Sequence, residues 1–120
     1  MSDICTRDDI DKLMHLFYNR LLVNPVAGPV FDHIDMEAHM PKVIDFWEGI
    51  AFGGGQYRGV PFDPHVPLEL TSGHFVIWFE TFCGCLDELF EGAVVAKLKE
   101  RARSIAFLFC HKLNLEPPEI

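Results

Sequence analysis

Residues 53–72 read GGGQYRGVPFDPHVPLELTS, and this stretch decides how the rest of the chain is arranged. Its glycine triplet and its three prolines exclude a long helix, and it has no alternation of apolar and polar residues that would predict a strand. Connections of this length are uncommon in compact domains and are usually functional. The single histidine within it, His65, is therefore a candidate functional residue.

Before this connection, apolar residues recur at intervals of three and four, which predicts two helices. The first follows a capping box formed by Thr6 and Asp9 and ends near Asn24. The second runs from about residue 37 to residue 52. Because proline is tolerated mainly in the first turn of a helix, we expect the regular part of this second helix to begin close to Pro41.

Two further helices are predicted after the connection. Thr71 or Ser72 caps the third, the fourth runs from about residue 93 to residue 113, and Pro117 and Pro118 indicate a frayed tail. Four helices predict an all-α fold, and 120 residues suffice for one domain with its own core, taken here as residues 1–120. The connection is far longer than an up-and-down bundle needs.

Charge and hydropathy exclude several classes of partner. The formal net charge is −8, and in the short basic cluster at residues 97–103 the cations alternate with other residues. We therefore do not expect nucleic acid to be a partner. No apolar run is long enough for a membrane span, and the first residues lack an apolar signal core. We therefore expect a cytoplasmic protein.

The apolar content leaves two interpretations open. Apolar residues make up 49% of the chain, and eleven residues are Phe. These rings either pack on one another or line a pocket for a flat apolar ligand. The four cysteines have neither disulfide nor zinc-site spacing, so reduced thiols are expected. No partner is evident for four of the histidines, which are interpreted as solvated: His15, His33, His74 and His111.

Several short motifs follow one another in a specific order. They are Phe17-Tyr18, Gly28-Pro29-Val30-Phe31, His39 followed by Phe46-Trp47, Gln56-Tyr57-Arg58-Gly59, Pro64-His65-Val66-Pro67, and Phe75-Val76-Ile77-Trp78-Phe79. In this order, from about Ile10 to Leu113, the chain resembles the group III truncated haemoglobins. The resemblance implies a truncated-globin fold, a two-over-two helical sandwich around a b-type haem.

The resemblance also implies roles for individual residues. His65 would be the metal ligand, supplying the proximal imidazole to the haem iron. Tyr18, His39 and Trp78 would lie on the distal side as the candidate catalytic residues. Further cofactor-binding residues are implied along the second helix and around it. Phe31 would pack on the porphyrin, and Val43, Phe46 and Trp47 would lie beside the porphyrin. Lys42 and Arg58 would pair with the propionates.

These residue types suit haem chemistry on their own terms, although each has a simpler interpretation. Haem iron needs one strong imidazole ligand and an open opposite face, and flanking prolines would hold His65 in place. A histidine between prolines is otherwise usually a surface residue. Tyr18 shares the apolar face of the first helix, so its hydroxyl needs a buried partner or can donate to a bound ligand.

The alternatives for the remaining residues also stay open. Tyr18 can equally be a core tyrosine bonded to a backbone carbonyl, Trp78 can be packing bulk, and both cations can be solvated. His39, on the entry turn of a helix that starts at Pro41, would swing outward and gate the pocket instead of serving as a fixed donor.

Three functions remain open at this point. The expected small ligands are O₂, NO, CO, cyanide and peroxide, and an unidentified reductase or other electron donor would serve as partner. A donor-rich pocket suits an enzyme of the NO dioxygenase or peroxidase type. It equally suits a non-enzymatic carrier, scavenger or sensor, because fold does not decide function. The third candidate is a haem-free helical interaction domain.

Overall fold

In the computed structural model, the structure describes residues 1–32, 34–53 and 70–120. These ranges contain four α-helices and no strand, which confirms the predicted all-α class. Predictions for His33, Arg58 and His65 fall outside the described residues. The helices are α1 (Arg7–Val23), α2 (Met36–Phe52), α3 (Ser72–Leu89) and α4 (Ala93–Lys112), with a short 3₁₀ turn at Gly28–Phe31.

Helix α1 begins and ends where its capping residues predict. Thr6 Oγ1 accepts a hydrogen bond from the N–H of Asp9 at 3.3 Å, and the Asp9 carboxylate accepts one from the N–H of Thr6 at 3.2 Å. At the other end, the side chain of Asn24 accepts from the N–H groups of Val26 and Ala27. This Asn24 turn directs the chain into the 3₁₀ segment.

Helix α2 agrees with the predicted range of about residues 37–52, but the expectation that its regular part begins near Pro41 is wrong. Asp35 is the N-cap, and its carboxylate accepts from the N–H groups of Glu37 at 3.1 Å and Ala38 at 3.3 Å. These bonds satisfy donors of the first turn. Pro41 then lies in the second turn, where it forfeits one intrahelical bond, to the carbonyl of Glu37. The helix nevertheless continues through Pro41 to Phe52.

Helices α3 and α4 follow the predicted bounds closely, and Thr71 is the N-cap of α3. The chain after α4 is packed and does not fray. Pro118 is buried, and the guanidinium of Arg103 donates to the backbone oxygen of Ile120 at 3.1 Å. The expectation of a frayed tail is therefore wrong, because the proline pair ends the helix without freeing the chain.

Apolar faces of all four helices meet in one core. Helix α1 packs against α2 and α3, and α4 packs against α3 and α2. Phe17 of α1 and Phe82 of α3 are fully buried at the centre, with ring centroids 5.3 Å apart. None of the described helices is long and apolar enough to cross a lipid bilayer. The four cysteines are free thiols, of which Cys85 and Cys110 are buried.

Candidate functional site

A cavity lies among the four helices. Its volume is about 100 Å³. Small-molecule sites are usually concave and mostly apolar. The described residues that line it are Phe17, Tyr18, Leu21, Ala27, Val30, Phe31, Ile34, His39, Val43, Phe46, Trp47, Leu70, His74, Phe75, Trp78, Ile105 and Phe109.

Seven residues singled out from the sequence come together in this cavity. They are Tyr18, Phe31, His39, Val43, Phe46, Trp47 and Trp78. Lys42, in contrast, is exposed on α2 and does not line the cavity. Arg58 and His65 lie outside the described residues. The structure therefore groups the predicted distal and apolar residues, while the roles given to them remain predictions.

Tyr18 and His39 form the polar centre of the cavity wall. The hydroxyl of Tyr18 lies 3.2 Å from Nε2 of His39, and their rings meet edge to face at 5.5 Å and 88°. Tyr18 is only 6% exposed, so its expected buried partner is found. His39 lies in the first turn of α2, and its ring faces inward to Tyr18, not outward to solvent.

Burial fixes the protonation state of this tyrosine. Desolvation raises the pKa of Tyr18 well above its ordinary value, because the charged phenolate is disfavoured away from water. The phenol therefore keeps its hydrogen at neutral pH and can donate it. Phe31 restricts the ring further by packing edge to face on it at 5.9 Å and 84°.

A continuous aromatic wall supports the polar pair. Phe17 contacts Tyr18 edge to face at 5.1 Å and contacts Trp78 in the same manner at 6.1 Å. The Trp78 ring is nearly parallel to that of Phe82 at 6.0 Å, and Phe82 stacks on Trp47 at 4.5 Å. These contacts join α1, α2 and α3 through rings that are buried or, for Trp78, partly buried. They hold Tyr18 and Trp78 in fixed positions at the cavity.

His74 is a cavity residue that the sequence analysis missed. It was interpreted as solvated, but it is partly buried and bonded to the cap of α3. The N–H of Thr71 donates to Nδ1 of His74 at 2.9 Å, and Thr71 Oγ1 lies 3.0 Å from the same nitrogen. The threonine-to-histidine spacing of three residues is that of a capping box, and this signal could have revealed it.

Comparison with known proteins agrees with this architecture. No protein-family model matches the chain. A group 3 truncated haemoglobin from Campylobacter jejuni is 28% identical, over 89% of this chain and 90% of the relative. The crystal structure of a group III truncated haemoglobin from Campylobacter jejuni superposes with a TM-score of 0.79, at 28% identity, over 94% of this chain and 95% of that one.

Both comparisons cover most of the chain, and both point to the same group of proteins. The structural match covers the four helices of the described residues. In sequence and in fold, therefore, the chain resembles the group III truncated haemoglobins, which confirms the resemblance seen in its motifs and the all-helical truncated-globin fold that it implies.

Proposed function

We propose that the chain binds a b-type haem in the aromatic cavity and takes up O₂ and other small diatomic ligands beside Tyr18. The observation that carries this proposal is the Tyr18–His39 pair, set into an apolar cavity of a truncated-globin fold. The relatives found by comparison are named haemoglobins. We also propose that residues 1–120 form one domain and that the protein acts in the cytoplasm.

The residues that line the cavity fit such a group. The lining is dominated by aromatic and aliphatic side chains, which suit the faces of a flat apolar macrocycle. Among the described lining residues the polar groups are few: the Tyr18 hydroxyl, the indole N–H of Trp78 and the imidazoles of His39 and His74. When bound, haem would supply an iron centre that a protein imidazole can hold and that can bind a small ligand.

His65 is the protein ligand in this proposal. It lies in the Pro64-His65-Val66-Pro67 motif, between α2 and α3, outside the described residues. Support for its role comes from the resemblance and from the two flanking prolines, whose fixed torsions restrict the segment. Lys42 and Arg58 are proposed to pair with the propionates. Lys42 would do so from the exposed side of α2.

The distal residues of the chain orient and hold the small ligand. In the tautomer with its hydrogen on Nε2, His39 donates to the Tyr18 oxygen, and the phenol hydrogen is then available to the ligand. A hydrogen bond to a charged acceptor is worth roughly 1.5–3 kcal/mol. Phe31, Val43, Phe46 and Trp47 exclude water from this space, which strengthens the bond.

Haem titration of the purified chain tests the proposal. We expect a stoichiometric Soret band and, in the ferrous protein, an iron–imidazole stretch in the resonance Raman spectrum. His65→Gly should lose that stretch, and added imidazole should restore it. His111→Gly, at the exposed end of α4, is the control and should leave the spectrum unchanged. A chain without a Soret band would contradict haem binding, and an unchanged stretch in His65→Gly would contradict the ligand assignment.

Measurements of turnover and of ligand dissociation on the same protein distinguish an enzyme from a carrier. The Tyr18–His39 pair can polarise a bound ligand, which suits peroxide cleavage or the conversion of NO with O₂ to nitrate. Sustained peroxide or NO consumption with a reductant would favour the enzyme. Slow dissociation of O₂, NO, CO or cyanide without turnover would favour a carrier, scavenger or sensor.

A further inference from the structure

We propose that His74 anchors a carboxylate of the bound haem through its Nε2–H group. This inference rests on the proposed haem function and extends it to a residue at the start of α3. Three observations carry it: the position of His74 at the cavity, the hydrogen bond that fixes its ring, and the chemistry of the group that the cavity would hold.

His74 lies where the cavity meets solvent. It lines the cavity and is partly exposed, whereas the neighbouring lining residues Leu70 and Phe75 are buried. It also precedes Trp78 by four residues, so both side chains are on one face of α3. The start of α3 therefore carries a polar residue at the rim and aromatic residues deeper inside.

The cap of α3 determines which ring nitrogen of His74 carries hydrogen. Nδ1 accepts from the N–H of Thr71 at 2.9 Å, so in this arrangement Nδ1 has no hydrogen of its own. A neutral imidazole with an accepting Nδ1 has its hydrogen on Nε2. Thr71 thus holds His74 in the tautomer that donates from the far side of the ring.

A donor at the rim matches the group that would fill the cavity. Haem is apolar over most of its surface but has two carboxylates at one edge, and burying a carboxylate without partners is costly. That edge should therefore lie at the rim, near water and near hydrogen-bond donors. Tyr18 and His39 are bonded to each other. Among the polar lining residues, His74 has the cap-fixed donor at the rim.

His74→Ala tests this role by removing the imidazole donor while Thr71 remains as the N-cap of α3. Glutamine would not serve, because its amide N–H groups could replace the imidazole donor. We expect haem release to excess apomyoglobin to accelerate about tenfold, the effect of losing a hydrogen bond to a charged acceptor. His15→Ala, at an exposed position of α1, is the matched control and should release haem at the wild-type rate.

Haem dimethyl ester makes the test specific for the carboxylates. Within each variant, the release rate of the ester is divided by that of the free acid, which cancels any general change in stability. We expect this ratio to be about tenfold smaller in His74→Ala than in the wild type. An equal ratio in a haem-binding protein would overturn the role of His74 alone. A wild-type chain that forms no stable haem complex would overturn both this inference and the proposed function.

Discussion

Tyr18 of α1 and His39 of α2 meet inside the cavity, with 3.2 Å between the phenol oxygen and Nε2. Neither residue is positioned by its own helix alone. Tyr18 packs against Phe17 and Phe31, and His39 lies in the first turn of α2, after its N-cap Asp35. Helices α1 and α2 therefore each contribute one member of the polar pair.

Tyr18→Phe should weaken the retention of O₂. The variant keeps the ring and its edge-to-face contacts but removes the donor. We expect the O₂ dissociation rate to rise about tenfold to a hundredfold, since each tenfold corresponds to about 1.4 kcal/mol. Stopped-flow exchange of O₂ for CO measures it. A rate equal to the wild type would show that Tyr18 does not donate to the ligand.

His39→Leu separates a fixed donor from a gate. Loss of its bond leaves the Tyr18 hydroxyl without this partner, so we expect faster dissociation of O₂ with little change in the association rate. Flash photolysis gives both rate constants. A large rise in association with unchanged dissociation would instead assign His39 to gating.

Asp3→Asn should destabilise the protein at neutral pH and lose its effect in acid. The Asp3 carboxylate accepts from the N–H of Val94 at 2.9 Å and of Val95 at 3.2 Å, at the start of α4. These backbone bonds lower the pKa of Asp3 below its ordinary value of 3.8. A lowered folded-state pKa stabilises the protein above the unfolded-state pKa, and this contribution disappears as the pH falls through the folded-state pKa.

Urea unfolding at several pH values checks this expectation. The difference in free energy of unfolding between wild type and Asp3→Asn should be largest near pH 7 and should shrink steadily below about pH 4. Asp8→Asn, in the exposed first turn of α1, is a comparison variant at a similar distance from the N-terminus. A difference that is independent of pH would refute the role of the Asp3 charge.

Gly92→Ala should lower the free energy of unfolding by about 1–3 kcal/mol. Gly92 has a φ of +139°, and an added Cβ would lie 2.4 Å from Oδ2 of Asp3. Gly84→Ala is the matched control, because nothing lies within 4 Å of its added Cβ and it is inside α3. That control should gain up to about 1 kcal/mol from helix propensity. Thermal melts of the two variants should therefore shift in opposite directions.

Local signals in the sequence were sufficient to predict most helix boundaries. The Thr6–Asp9 box set the start of α1, and the glycine triplet set the end of α2. The regular part of α2 was expected to begin near Pro41 because only the preference of proline for the first turn was considered, whereas the N-cap is Asp35. Boundaries of this kind depend on a sum of small free energies, not on one residue.

The residues of the candidate site were harder to predict from the sequence than the helix boundaries. Tyr18, His39 and Trp78 were found through motif order, whereas Ile105 and Phe109 of α4 were not assigned to a cavity. An apolar helix face has the same periodicity whether it packs on protein or lines a pocket, so periodicity could not separate these cases. His74 was missed because its capping-box spacing from Thr71 was overlooked, and its place at the cavity depends on the packing of separate helices.

The aromatic wall gives the protein a built-in optical probe. Both tryptophans of the chain, Trp47 and Trp78, line the cavity and flank Phe82. Their fluorescence therefore originates beside whatever fills that space, with no background from indoles elsewhere. A chromophore that absorbs in the near ultraviolet should quench this emission on entry, so uptake and release can be followed in real time without any label.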